Sequence, residues 1–499
     1  MELQFNKKTV PCLRNVLNQM QTQELTQDVK LPDAMPDVGR VLGTWGQVLI
    51  RSKEWRSGEI HISGGVMAWV MYAPEDGSDA RSMETWIPFQ MKWELPDTQR
   101  DGAISVDPRI KSMDCRSTSA RKLLLRCNIS LLADAWEPVE EEIPEPVTMP
   151  EDIQLLKETY PMTLPIEAGE KQFQMDEELT VSGSYPGVER IIRYSLTPEL
   201  VEQKVLAGRL VFRGAANLHM LYSSEDAKLH SWESQIPFSQ YVDLDRDYGP
   251  NAFAQIHIIP TGIELEKGEE GRIRLKVSMI AQYVVFDRMT MELITDAYSP
   301  RRSTAPILRQ MNLPSVLDNP RQSLTMEQSV RSDGDEIVDM NWTGEHPVKR
   351  QMGDSAQMEM NGQFQVLYYD KSGDLQCGTA RNEEKWQLPS NNVNSIHAYL
   401  HPEIQIQGNG DGDNIRMSAE ANVDSMVFSN TGMPVLVGLE MGEIVEPDPE
   451  RPSLVLRRAG QKRLWDLAKE CGSTVDAIKT ANGLQQEPGS NQMLLIPVS

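Results

Sequence analysis

The sequence predicts a mostly β protein: three related β-rich domains, sandwich- or barrel-like, followed by a small α+β tail of βααβ order. Three observations predict it. One apolar alternation runs into a tyrosine at three places, 146 to 150 residues apart. Further anchors follow each tyrosine at matched spacing, and the last 47 residues carry two short runs of helical periodicity.

The first segment is Gly64–Tyr72, the second Arg213–Tyr222 and the third Asn361–Tyr368. Counting back by twos from the tyrosines gives Val70 and Ala68, Met220 and Leu218, Val366 and Phe364, so one face stays apolar at the period of a strand. Ile87-Pro88-Phe89 and Ile236-Pro237-Phe238 follow at 15 and 14 residues, and the third copy has Trp386 and Leu388-Pro389 near that point. Leu125, Leu275 and Met417 then stand 53, 53 and 49 residues beyond their tyrosines. Turn clusters such as Pro74–Gly77 and Lys371–Asp374 bound the strands. The copies are domain-sized, so each is expected to have its own core.

Composition shifts suggest the boundaries. Copy one takes 1–136, an acidic Pro-rich spacer 137–150, copy two 151–298, a linker 299–323, copy three 324–440, a second acidic Pro-rich spacer 441–452, and the tail 453–499. The acidic spacers are expected to be extended and self-repelling. Arg301 and Arg302 in the middle linker are expected to be solvated, the alternative being that they dock an acid.

The tail reads as a strand from Ser453 to Arg457, a break at Ala459-Gly460, and a helix whose core face is Leu464, Leu467, Ala468 and Cys471. Gly472 suits a left-handed C′ position. Ser473 or Thr474 caps a second helix, with Val475, Ile478 and Ala481 facing inward and Asn482-Gly483 as the stop. Pro488-Gly489 turns the chain into a closing strand, Met493–Ile496. A core this small leaves little room for substitution.

The net charge of −24 argues against nucleic acid and anionic lipid as partners, because both are bound through clustered Lys and Arg. No apolar run is long enough to span a membrane, and Met1–Lys8 has no apolar core of a secretory signal, so the chain is expected to stay where it is made. Cys12, Cys115, Cys127, Cys377 and Cys471 are scattered and form no C-x-x-C pair, as expected of free thiols in a reducing cytosol.

Motifs for phosphate loops, dinucleotide binding, zinc proteases and serine hydrolases are lacking, and no catalytic residue is expected. His397 and His401 have the i, i+4 spacing of a helical metal pair, but Pro402 and the flanking alternation suggest a strand. Asn409–Asn414 resembles part of a calcium loop yet lacks the bidentate Glu, and the other copies have Glu266–Gly271 and Arg116–Ser119 in that slot. A hairpin turn is the expectation there, with no metal and no cofactor.

Leu464–Ala468, Thr474–Ile478, Ala481–Leu484 and Leu495–Pro497 match the LysM pattern in order and spacing, and the whole tail resembles a LysM module. That resemblance implies a shallow groove for N-acetylglucosamine polymers. Gly460, Gln461, Lys462 and Arg463 would line one side and Asn482, Gly483, Leu484, Gln485 and Gln486 the other. Where the family usually has Gly-Asp-Thr, this chain has Gly460-Gln461-Lys462, which suits an acidic protein surface better than a neutral sugar. Lys462 as a plain solvated lysine is the alternative.

Leu31–Val38, its worn counterpart Tyr185–Glu189 and the repeated strands resemble the SPOCS domain of spore-envelope proteins of Clostridia and Bacilli. SPOCS-type domains followed by a LysM resemble the clostridial spore morphogenesis proteins. The resemblance implies a non-enzymatic adaptor in the mother-cell cytoplasm, at the surface of the developing forespore. Its LysM would hold the coat's basement-layer ATPase, stage IV sporulation protein A, beside other coat proteins. Binding to peptidoglycan of the wall or cortex is the alternative reading.

Overall fold

Each domain-sized copy begins and ends on strands that pair with each other, so its first and last residues close one sheet. In the first unit β1 (Phe5–Lys30) leads into a meander of β2 (Val38–Arg56), β3 (Glu59–Pro74) and β4 (Arg81–Glu94). The hairpin of β5 (Ala103–Ser119) and β6 (Lys122–Pro146) then returns to β1. Two antiparallel sheets result, β1-β6-β5 and β2-β3-β4. Val66, Val70 and Tyr72 of one sheet share a core with Leu123, Leu125 and Cys127 of the other, which makes a sandwich. The computed structural model describes residues 5–498 except 96–97, 99, 147–149, 182, 184, 353–354, 388–394, 412 and 445–451. Leu388-Pro389 and most of the second acidic spacer, Glu446–Arg451, lie outside the described residues.

The second unit repeats the plan with β7 (Gln154–Thr180), β8 (Arg190–Leu206), β9 (Arg209–Ser223), β10 (Leu229–Asp243), β11 (Phe253–Lys267) and β12 (Arg272–Tyr298), in sheets β7-β12-β11 and β8-β9-β10. In the third, β13 (Arg302–Asp318) and β14 (Arg321–Arg331) divide the role of the first strand, both pairing with β20 (Asn414–Ile444). Its second sheet holds β15 (Glu336–Gly344), β16 (Val348–Met352), β17 (Ser355–Tyr369) and β18 (Leu375–Gln387), and β19 (Ser395–Asp411) pairs with β20. The expectation of a mostly β chain with three related copies agrees with this topology.

The repetition reaches single residues. A register shift follows the strand partner of each signature tyrosine: Val41/Gly43 opposite Tyr72, Ile191/Arg193 opposite Tyr222, and Ile337/Asp339 opposite Tyr368. Tyr72 donates to the Pro36 carbonyl and Tyr222 to the Pro186 carbonyl, both at 3.0 Å. The proline-containing turns before β2 and β8 are thereby pinned to the tyrosine strands.

The acidic spacer and the middle linker are strands instead. Residues 137–146 are the second half of β6, paired with residues 5–14 of β1. Their carboxylates do not repel one another freely, since Lys7 pairs with Glu142 at 2.5 Å, Arg14 with Glu137 at 2.5 Å, and Lys8 with Glu145 at 3.9 Å. Pro138, Pro144 and Pro146 are tolerated because β5 pairs no further than Trp136, which leaves β6 an open edge for prolines that cannot donate. Arg302 lies in β13 and docks on Asp152 at 2.6 Å, so the lesser alternative describes it. Asp411 faces Asn414 across the β19–β20 turn, so the calcium-like segment is a hairpin; His397 and His401 share strand β19.

The three units pack against one another so that equivalent positions meet. Asp107, His257 and Tyr399 occupy the same place in β5, β11 and β19. His257 lies 3.5 Å from Asp107, with its ring centroid 5.9 Å from that of Tyr399. Trp136, Phe286 and Phe428 are likewise equivalent and share one cluster, as Met71, Leu221 and Leu367 share another. Farther along, β1/β6, β7/β12 and β13/β20 bring Cys12, Ile143, Met162, Leu164, Met311, Leu313 and Val435 into a joint core. Separate cores therefore hold only in part: the units also share apolar clusters, each buried large side chain stabilising the assembly by roughly 1.5–3 kcal/mol. None of the five cysteines is in a disulfide.

Candidate functional site

The tail folds as expected from its caps and apolar positions. β21 (Leu454–Arg458) pairs with β22 (Met493–Pro497), and α1 (Leu464–Cys471) and α2 (Val475–Asn482) lie between them in sequence. Gly472 and Gly483 close the helices at φ 62° and 61°, conformations in which a Cβ would be strained. Thr474 Oγ1 caps α2, accepting from the Ala477 N–H at 3.1 Å. Leu464, Leu467, Ala468 and Ile478 are buried with Leu494 and Ile496. Ala481, expected inside, is exposed, because the inward row of α2 ends at Ile478.

The loops on either side of the expected groove are largely engaged within the chain. Gly460 has φ 60° and donates to the Ser490 carbonyl at 3.0 Å. Lys462 is ion-paired to Glu470, whose carboxyl is held below the usual range first by the Lys462 ammonium and also by Arg457. The Lys462 side chain is half-exposed, and this ion pair lies at the surface of the module. Arg463 reaches out of the module to Glu158 of β7 at 2.7 Å.

On the other side, Asn482 latches α2 to β22. Its Nδ2 donates to the carbonyls of Ile478 at 2.8 Å and Leu495 at 2.6 Å, and its Oδ1 accepts from the Leu495 N–H at 2.8 Å. Leu484 is half-buried against the core, and Gly483 serves the helix end. Gln461, Gln485 and Gln486 are exposed. Between the loops, the Glu487 carboxylate accepts from the Leu464 N–H at 2.9 Å and satisfies an otherwise orphaned donor at the start of α1. Of the nine expected positions, these three glutamines are the exposed side chains with no hydrogen-bond or ion-pair partner among the described residues.

Sequence reasoning missed the face by which the module is held. Trp465 and Lys469, one helical turn apart and off the expected core face, converge on Asp296 of β12: Trp465 Nε1 donates at 2.8 Å and the Lys469 ammonium lies at 2.7 Å. The Trp465 ring meets Tyr298 edge to face, centroids 4.7 Å apart at 77°. Tyr298 is buried, which raises its hydroxyl pKa, and it donates to the Ser473 carbonyl at 2.9 Å. A tryptophan and a lysine at i, i+4 outside the apolar stripe was the available signal; their partner, 169 residues upstream of Trp465, had none.

This geometry is that of a holding surface. Among the described residues no cluster of three or more His, Cys, Asp or Glu is arranged for a metal, and no helix is long and apolar enough to cross a membrane. The buried histidines serve the joints between units: His397 pairs with Asp134 at 3.2 Å, and His346 donates to the Asp107 carbonyl at 2.9 Å while lying 3.0 Å from Ser130 Oγ.

No curated protein and no solved structure matches the chain. A family model does. Its two matches begin at equivalent places, directly after Pro36 and Pro186; each covers the meander, the first also most of β5 and the second the first half of β11, and both leave out the first and last strands that close the other sheet. Residues 37–118 and 187–260, in the first two units, are similar to the family described as SipL, SPOCS domain.

Proposed function

We propose that this protein is a non-enzymatic adaptor of spore-envelope assembly. It acts in the mother-cell cytoplasm at the forespore surface. Its C-terminal LysM-type module holds the coat's basement-layer ATPase, stage IV sporulation protein A, while the SPOCS body meets other coat proteins. The observation that carries this reading is the pair of SPOCS matches in a body that ends in a small βααβ module. A protein ligand for the module is favoured over a sugar by the engagement of Lys462, Arg463 and the Leu464 N–H within the chain itself.

Pull-down of the ATPase by the full chain, and by a chain ending at residue 452, tests it. Capture by the full chain alone is expected; capture by neither removes the partner. The second reading is a peptidoglycan-binding protein, favoured by the exposed amides of Gln461, Gln485 and Gln486, which can hydrogen-bond a glycan. It requires the full chain to sediment with purified peptidoglycan and to be released by N-acetylglucosamine oligomers.

A further inference from the structure

In a two-stranded sheet covered on one side by helices, the outward residues are expected to be polar. Here they are not. Val455, Leu494 and Ile496 face the helices, while Leu454, Leu456, Met493 and Leu495 face away and are 55%, 62%, 50% and 44% exposed. Leu456 pairs directly with Leu495, and Arg458 with Met493, so these residues form one continuous patch with a guanidinium at its end. Among the described residues Arg458 has no ion partner, whereas Arg457, pointing to the helix side, is paired with Glu470 at 2.8 Å. The four apolar side chains present on the order of 400 Å², a size at which exposed patches mark interaction sites.

The other faces of the module are in use. Trp465, Lys469 and Arg463 hold it to β7 and β12, and Glu487 and Asn482 fill the space between its loops. We infer that the outer face of the β21–β22 sheet, and not the groove between the loops, is the partner-binding surface of the module. Its occupant is an apolar segment of an acidic protein, with a carboxylate placed to meet Arg458. This inference rests on the proposed partnership and assigns the surface that performs it.

Two arguments select that occupant. From Ser453 to Ser499 there are six Lys and Arg against four Asp and Glu, a net +2 within a chain of −24, so the module is the basic end of an acidic protein. A second copy of this chain fits poorly. Self-association through this face would bring two modules of +2 together across a face about half the ~800 Å² per partner of a stable interface. An acidic partner gains attraction where a second copy meets repulsion, and it can add polar rim contacts.

The test titrates purified stage IV sporulation protein A against the full chain, its Leu456→Thr/Leu495→Thr variant, its Arg458→Glu variant and a Gln461→Ala/Gln486→Ala variant. The substituted side chains point outward, and unchanged melting temperatures check that the fold is kept. The threonine pair is expected to weaken binding at least tenfold and Arg458→Glu at least fivefold, with the glutamine variant within twofold of the unaltered chain. Full binding by the threonine pair, or loss confined to the glutamine variant, overturns the assigned face while leaving the partnership intact. No binding by the unaltered chain removes the partnership and this inference with it. Sedimentation velocity adds one more arm: dimers of the unaltered chain that the threonine pair dissolves would give the face to a second copy and overturn the inference.

Discussion

Replacing Asp339 by Asn should reveal whether the three units are one cooperative body. Asp339 and Arg193 pair between units three and two with side chains 4% exposed each. Asp339 also lies 3.0 Å from His219 Nε2 and accepts from Ser231 Oγ at 3.3 Å, and the Arg193 guanidinium stacks 5.0 Å over Trp45 of the first unit. The neutral amide leaves that guanidinium buried beside no counter-charge, a loss of about 3–5 kcal/mol for a broken buried pair. How far the melting temperature falls depends on what unfolds. At roughly 2.1 cal/mol/K per residue, that loss lowers Tm by about 3–5 °C if some 440 residues melt together, and by about 10–16 °C if a unit of ~145 residues melts alone. Calorimetry of the full chain separates the two cases, and a single transition with the smaller shift is expected. The double variant Arg193→Met/Asp339→Leu should recover most of the loss, because an apolar pair of similar volume has no desolvation cost to offset. A loss under ~1 kcal/mol for Asp339→Asn, or a double variant no better than the single one, would refute the claim that this is a dry ion pair joining units. Acid gives a companion readout. Burial alone would raise the Asp339 carboxyl, yet Arg193 and then His219 outweigh it and hold it at about 2. The stabilisation is then complete above the unfolded value near ~4 and disappears as pH falls through about 2.

Other outcomes follow from the same structure. Burial lowers His346 to about 4, so the unfolded chain takes up its proton first. Stability should fall by up to ~3 kcal/mol between pH ~6.5 and ~4 and stay level above, and His346→Gln should flatten that slope in pH-dependent melting. Asp296→Ala removes the shared acceptor of Trp465 and Lys469, and should loosen the module by about 1–3 kcal/mol, seen as faster proteolysis around residues 445–452 with β22 amides still protected. Gly64→Ala and Gly214→Ala should each destabilise by ~2 kcal/mol or more in chemical denaturation, because at these equivalent places the added Cβ meets the backbone carbonyl of Leu49 or Glu199.

Short-range features were legible in the sequence. The period-two rows ending in Tyr72, Tyr222 and Tyr368 marked the same strand three times, and Gly472, Thr474 and Gly483 bounded the helices where they were expected. Long-range pairing was not. Glu137–Pro146 reads as a spacer on its own because its charge is offset by Lys7, Lys8 and Arg14, more than a hundred residues away. Strand order was hidden for the same reason, since each sandwich closes by joining its first strand to its last. In the candidate site, the contacts within the two loops were not legible: Glu487 lies one residue beyond the expected stretch, and Asn482 serves the strand beside it.

Unlike residues at like positions have a consequence for assembly order. Gly43, Arg193 and Asp339 are counterparts by register, as are Asp107, His257 and Tyr399. Three identical copies would bring three arginines or three aspartates to one place, and the arrangement would be repelled. With the three copies in one chain, equivalent positions carry different residues that complement their neighbours, as Arg193 does Asp339 and His257 does Asp107. A chain with two units exchanged would keep every sandwich yet set Arg193 and Asp339 against the wrong neighbours. The repeats are thus interchangeable as folds and no longer interchangeable as parts.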